Sequence, residues 1–216
     1  FTMTYAQRTD KLADWRLTRP DHIGLLDVVR NVQPTVLIGA STQSGAFSAT
    51  VVKDMTAYCE RPIIFPLSNP TSKSEATPDD LLGWTDGKAI VATGSPFPPV
   101  CCKGKEVGIG QCNNLFIFPG VGLGVIASGA KRITDRMFVE AARALAGLSP
   151  ALADPNAPLY PRLEDARVVA RSVALAVARE AVRSGFAKPG PADDLESRIE
   201  AKMWQPRYLC YKAVAS

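Results

Sequence analysis

The chain has a single histidine, His22, among 216 residues. A histidine-rich metal site or a pair of catalytic histidines is therefore excluded within it. Long hydrophobic runs are missing too. The longest, such as Val121 to Ala130, are short and broken by glycine, well below the roughly 20 apolar residues of a bilayer span, so no membrane segment is expected. Charge of one sign is scarce: 25 basic against 21 acidic residues leave +4, with no Lys/Arg cluster. That excess is too thin to argue for nucleic acid. Five cysteines (Cys59, Cys101, Cys102, Cys112 and Cys210) form no C-x-x-C pair or regular framework. Their number and spacing speak against zinc and disulfides and for buried or half-buried thiols in a reducing compartment, the cytoplasm by default. The first residue is Phe1 rather than Met, and no signal peptide follows. Either an N-terminal part has been removed or the chain is a piece of a longer polypeptide.

What is present suits a packed domain. With 46% hydrophobic and 21% charged residues the chain can build a core, which excludes a disordered tail or linker. After a polar, irregular opening segment, Ile23 to Val32 reads as a short amphipathic helix. Pro34 breaks it, and Thr35-Val36-Leu37-Ile38-Gly39 is a buried strand. The same beat recurs: helix over Ser48 to Tyr58, strand Pro62 to Phe65, helix from Thr77-Pro78-Asp79-Asp80, strand Ala89 to Gly94. Thr77 is an N-cap, Pro78 fits the first helical position, and the two carboxylates suit the first turn. A fourth strand is expected at Leu115 to Phe118, followed by a helix of small residues. Thr134 opens a helix through Ala146, Glu164 to Ser184 is strongly helical, Lys188 to Pro191 breaks it, and Asp193 to Met203 forms a last helix. Apolar strands alternating with helices predict an α/β fold, part of a doubly wound parallel (Rossmann-like) sheet, followed by a mostly helical C-terminal segment. The expected division is an opening segment 1–22, an α/β part 23–150 and a helical part 151–216.

In such sheets ligands bind where the strands end. The loops there hold small residues, hydroxyls and neutral amides: Gly39 to Gly45, Ser68-Asn69-Pro70-Thr71-Ser72, Gly94 to Pro98, and Gly110-Gln111-Cys112-Asn113-Asn114. These groups fix carboxylates, carboxamides and ribose hydroxyls without adding charge, although turn chemistry alone favours the same residues. Gly122-Leu123-Gly124-Val125-Ile126-Ala127 fits the dinucleotide fingerprint G-x-G-x-x-A. Its expected acidic partner, Glu140, sits inside an amphipathic helix, so the small residues are read as letting a helix lie close against the sheet. Arg167, Arg171, Arg179 and Arg183 line one helix face, read as solvated or inter-subunit. His22, near a helix start, reads as structural.

The strings Pro34 to Gly39, Arg61-Pro62-Ile63-Ile64-Phe65-Pro66-Leu67-Ser68-Asn69-Pro70-Thr71-Ser72, Thr93 to Val100 and Gly110 to Val121 resemble the C-terminal part of malic enzymes, as does Leu159-Tyr160-Pro161. The resemblance runs from about Ile23 to Tyr208. It implies oxidation of L-malate and decarboxylation to pyruvate with NAD or NADP and with Mg²⁺ or Mn²⁺. By that resemblance Asn69, Asn113 and Asn114 contact substrate. Gly39, Ala40 and Ser41 form the turn under the cofactor's nicotinamide half, with Asn69 and Asn113 also near the cofactor. The family's catalytic tyrosine and lysine, its substrate arginine, its metal carboxylates and its fingerprint belong upstream, so no catalytic or metal residue is expected in this chain. Cys112 stands where a glycine is usual, and a positive φ there would strain the backbone. The implied partners are the missing N-terminal portion of the enzyme and further copies in a homo-oligomer. Two alternatives stay open: a malolactic-type enzyme that releases lactate, and an inactive nucleotide-binding or self-associating α/β piece. For a eukaryotic source the mitochondrial matrix stays open beside the cytoplasm.

Overall fold

A computed structural model describes residues 8–187, 192–206 and 208. Cys210 and the expected helix break at Lys188 to Pro191 lie outside the described residues. The chain separates into two compact units, one of residues 1–112 with 153–160, the other of residues 113–152 with 161–216.

The first unit is the sheet. Four strands, β1 (Val36–Gly39), β2 (Ile63–Pro66), β3 (Ile90–Thr93) and β6 (Gly110–Gln111), lie in the order β1-β2-β3-β6 and are all parallel. The register pairs Val36 with Ile63, Ile63 with Ile90, and Ala92 with Gly110. Parallel strands must be joined by crossovers: α1 (Leu25–Val32) leads into β1, α2 (Ala49–Thr56) lies in the crossover from β1 to β2, and α3 (Pro78–Trp84) in that from β2 to β3. Local chemistry sets the helix starts. Ser48 Oγ accepts from Val51 N–H, and Thr77 Oγ1 accepts from Asp80 N–H while Pro78 takes the first helical position. Val29, Val52, Met55, Ile64 and Leu81 are the fully buried centre of this core.

Two differences from the sequence reading concern strands. The segment Leu115 to Phe118 is no strand: Asn114–Phe116 is a 3₁₀ turn and α4 (Phe118–Ser128) begins directly after Ile117. The fourth strand is instead Gly110–Gln111, just upstream. A hairpin of β4 (Val100–Cys102) and β5 (Lys105–Val107) was also not anticipated. Its two-residue turn, Lys103-Gly104, has φ of 51° and 73°, the left-handed pair that suits a tight hairpin.

The second unit is helical: α4, α5 (Asp135–Ala146), α6 (Ala166–Arg183) and α7 (Ala192–Lys202). Gly122 to Ala127 lies wholly inside α4. Fingerprint glycines should form a strand-to-helix turn around phosphate, so that reading is excluded. The real constraint is helix contact. A Cβ on Gly120 would stand 2.6 Å from Val173 Cβ, and one on Gly124 2.5 Å from the carbonyl oxygen of Ala174. The small residues bring α4 close onto α6 within this unit. The α6 arginines are likewise spoken for within the unit. Arg171 pairs with Glu196 at 3.3 Å and with Glu200, Arg179 with Glu196 at 3.5 Å, and Arg183 with Glu180 and Glu140. The stripe stitches α6 to α5 and α7 while its side chains stay exposed.

Candidate functional site

The turn that leaves β1 and the loop that leaves β2 meet around one buried acid. Glu75 is 0% exposed. Its Oε1 accepts from Ser41 N–H at 2.7 Å, Ser41 Oγ at 2.8 Å and Ser68 Oγ at 2.5 Å, and its Oε2 accepts from Ser68 N–H at 3.3 Å. Ser68 Oγ in turn accepts from Thr42 N–H at 2.9 Å. Burial by itself would push the Glu75 carboxyl up. The donors from Ser68 and Ser41 outweigh it and hold the group below the ordinary glutamate range. Thr42 sits at φ 57°, rare for a β-branched residue, and this network is what holds it there. Gly39 is needed for contact: a Cβ would lie 2.6 Å from Glu75 Cδ and 2.7 Å from Phe47 Cζ. Sequence reasoning assigned that glycine to cofactor approach; its first neighbour is the buried acid.

Asn69 stands exposed beside Ser68, and its Oδ1 accepts from Ser95 Oγ at 2.5 Å. Ser95 is buried at the end of β3, so the third strand orients an amide carried by the second. With its oxygen engaged, the group Asn69 presents is NH₂, a neutral donor suited to a carboxylate or carboxamide oxygen. Asn113, in the second unit, is oriented in the same way by a different partner. Its Oδ1 accepts from Leu115 N–H at 2.9 Å, which caps the 3₁₀ turn and leaves the NH₂ group as the amide's free end. Among the described residues neither amide nitrogen has a hydrogen-bond partner. Asn114 and Ala40 are exposed. The first unit thus brings together Gly39, Ala40, Ser41 and Asn69, while Asn113 and Asn114 belong to the second.

The strain expected at Cys112 does not arise. Positive φ occurs at Gln33, Thr42, Asp86 and Lys103 among the described non-glycine residues, not at Cys112. Cys112 N–H donates to Thr93 O at 2.8 Å, extending the β3 to β6 ladder by one residue. Burial pushes the Tyr160 phenol up, and a hydrogen bond with the Cys112 thiol adds to this. The Tyr160 ring also lies 6.3 Å from that of Phe65. The signature Leu159-Tyr160-Pro161 thereby anchors this corner of the sheet. Cys101 is exposed rather than buried, and Cys59, Cys102 and Cys112 are half-buried free thiols. His22 is exposed in the turn before α1. Among the described residues no three His, Cys, Asp or Glu side chains gather as a metal would require. No described helix is long and apolar enough to cross a membrane.

A parallel α/β sheet whose strand ends carry hydroxyl and amide donors defines a Rossmann-like nucleotide-fold portion. The chain belongs to the malic enzyme family: the family described as malic enzyme, NAD-binding domain, matches residues 1–182. It is 51% identical over 212 residues to the NAD-dependent malic enzyme of Proteus mirabilis and 52% identical to that of Sodalis glossinidius. In both comparisons 98% of this chain aligns with 37% of the relative, so the chain spans little more than a third of their length. The crystal structure of malic enzyme from Pyrococcus horikoshii is similar with a TM-score of 0.64 and 27% identity, over 83% of this chain and 37% of that one. That of the Entamoeba histolytica malic enzyme gives 0.66 and 27%, over 85% and 34%.

Proposed function

We propose that this chain is the C-terminal part of a malic enzyme that oxidises L-malate and decarboxylates the product to pyruvate, with NAD as the hydride acceptor. The observation that carries the reading is the pair of oriented amides. Asn69 in the first unit and Asn113 in the second each have the carbonyl oxygen tied to a neighbour of their own unit, which leaves NH₂ as the donor each amide offers. Malate brings two carboxylates, and neutral donors fix them without competing with a cation placed elsewhere in the site. The Gly39-Ala40-Ser41 turn is the cofactor-side wall in this reading. NAD is preferred over NADP because the relatives are named NAD-dependent.

The bound dinucleotide supplies the acceptor for the C2 hydride of malate. The chain's own share is binding and orientation: it holds substrate oxygens through amides and keeps the two loops in register. The base for the hydroxyl proton, the acid for the enol carbon and the ligands for Mg²⁺ or Mn²⁺ are assigned to a segment upstream. A cytoplasmic location is part of this reading, supported by the bacterial relatives. Assembly with the upstream portion, and of copies into a homo-oligomer, belongs to the same reading.

The test joins this chain to the upstream portion and assays malate consumption with Mn²⁺ and each nicotinamide cofactor, identifying the product. Pyruvate with stoichiometric NADH supports the proposal. Lactate without net NADH identifies a malolactic-type enzyme, and no turnover in the joined polypeptide overturns both.

A further inference from the structure

We propose that Glu75 is a positioning residue: a buried anion that clamps the turn after β1 to the loop after β2 and fixes the spacing at which the two loops meet their ligands. The inference rests on the site reading above and adds a residue that touches no ligand itself. Its basis is geometric. Ser41 lies 34 residues from Glu75 in sequence and Ser68 seven residues away, yet both give it an N–H and an O–H. Ser68 passes the connection on to Thr42 N–H. The Glu75 backbone is pinned as well, since its carbonyl oxygen accepts from Phe47 N–H at 3.0 Å.

A purely structural plug at this place would not need charge. Phe47 and the end of β1 enclose the side chain, and an apolar residue of similar volume would fill that space without the cost of burying an anion. A carboxylate does what an apolar side chain cannot. Its directional acceptors demand four donors from two separate loops at once, so those loops have one permitted spacing. Thr42 in the left-handed region is the mark of that constraint, because such a conformation persists only where its surroundings over-determine it. Asn69 directly follows Ser68, so a shift of Ser68 moves the amide. Ala40 lies between Gly39 and Ser41, so a shift of Ser41 moves the turn. One carboxylate therefore governs both binding loops.

The experiment uses the enzyme assembled with its upstream portion and compares Glu75→Gln, Ser68→Ala, Asn69→Ala and the Glu75→Gln/Ser68→Ala double variant. KM for malate, KM for NAD and the thermal midpoint are read for each. Glu75→Gln should raise both KM values together, by about fivefold or more, and the double variant should add less than twofold to it. Asn69→Ala should raise KM for malate selectively. If Glu75→Gln does not fold, Ser68→Ala decides, with both KM values expected to rise about threefold at a nearly unchanged midpoint. Lowered midpoints with wild-type KM values would make Glu75 a structural residue and overturn the clamp, while an effect of Asn69→Ala in the same series would leave the site reading standing. Unchanged KM in Asn69→Ala with raised KM in Glu75→Gln would remove Asn69 from the site and keep the clamp. Unchanged KM in every variant overturns both.

Discussion

Ser95 Oγ donates to Asn69 Oδ1 at 2.5 Å. A residue at the end of the third strand thus decides which end of an amide on the second strand's loop faces outward. Substrate contact and amide orientation are separable by mutation. Asn69→Ala should raise KM for malate by the equivalent of about 1–3 kcal/mol, the loss of a hydrogen bond to a charged group. Ser95→Ala keeps the amide but frees it to turn, and should cost about 0.5–1.5 kcal/mol in the same constant. Steady-state kinetics of the assembled enzyme check both. Equal and negligible effects would remove this pair from the binding site.

Gly39→Ala should destabilise the sheet unit. The added methyl would meet Glu75 Cδ at 2.6 Å and Phe47 Cζ at 2.7 Å, both inside van der Waals contact. Overpacking of this kind costs about 1–3 kcal/mol, readable as a lower urea midpoint.

A parallel loss is expected from Gly124→Ala in the helical unit. The methyl would press on the backbone of α6, whose Ala174 carbonyl oxygen is 2.5 Å away. Backbone yields less readily than a side-chain end, so separation of α4 from α6 should cost about 1–3 kcal/mol, read as a lowered thermal midpoint. Gly122→Ala is the control, since nothing lies within 4 Å of its position. It should be neutral or slightly stabilising.

Acid should weaken the protein partly through Glu75. Its folded pKa is lowered from 4.5. The stabilisation it contributes is therefore fully present above that ordinary value and is lost as pH falls through the depressed folded value. Glu75→Gln should flatten the fall in urea midpoint below about pH 4.5, without flattening it completely, because Asp27 and Glu180 are lowered too. An unchanged acid slope in the variant would show that the carboxylate does not titrate in this range.

The described chain alone should not turn over malate. No metal ligand set gathers among its described residues. In the proposed reading the base and acid also lie upstream. Assay of the purified 216-residue chain with malate, Mn²⁺ and both cofactors checks this, and sustained NADH formation would place the catalytic groups inside it.

Much of the sheet was legible because its first three strands are apolar, β-branched and punctuated by Pro or Gly, and because Thr77-Pro78-Asp79-Asp80 spells a helix start. The fourth strand was not. Leu115-Phe116-Ile117-Phe118 has strand composition, but Asn113 caps a turn there and Pro119 is placed early in a helix. The true strand, Gly110-Gln111, is two residues long and carries no hydrophobic pattern. The hairpin turn Lys103-Gly104 lacks the Asn-Gly or Asp-Gly signal that would mark it. Family motifs brought Asn69 and Asn113 into view, whereas no motif or spacing in the sequence singles out Glu75. Only the fold reveals that donors from two loops converge on it, since a pairing across 34 residues leaves no local trace.

The outer strand β1 has a consequence for handling the protein. Among the described residues it pairs on one side only, with β2, and Val36 and Ile38 are 45% and 60% exposed. A bare, apolar edge recruits any extended segment that arrives, which in a concentrated preparation means another copy of itself. A gatekeeper such as Ile38→Lys should keep the isolated polypeptide dispersed. The same lysine would confront whatever strand completes the sheet. Solubility of the piece and its capacity for reconstitution therefore pull against each other at one side chain.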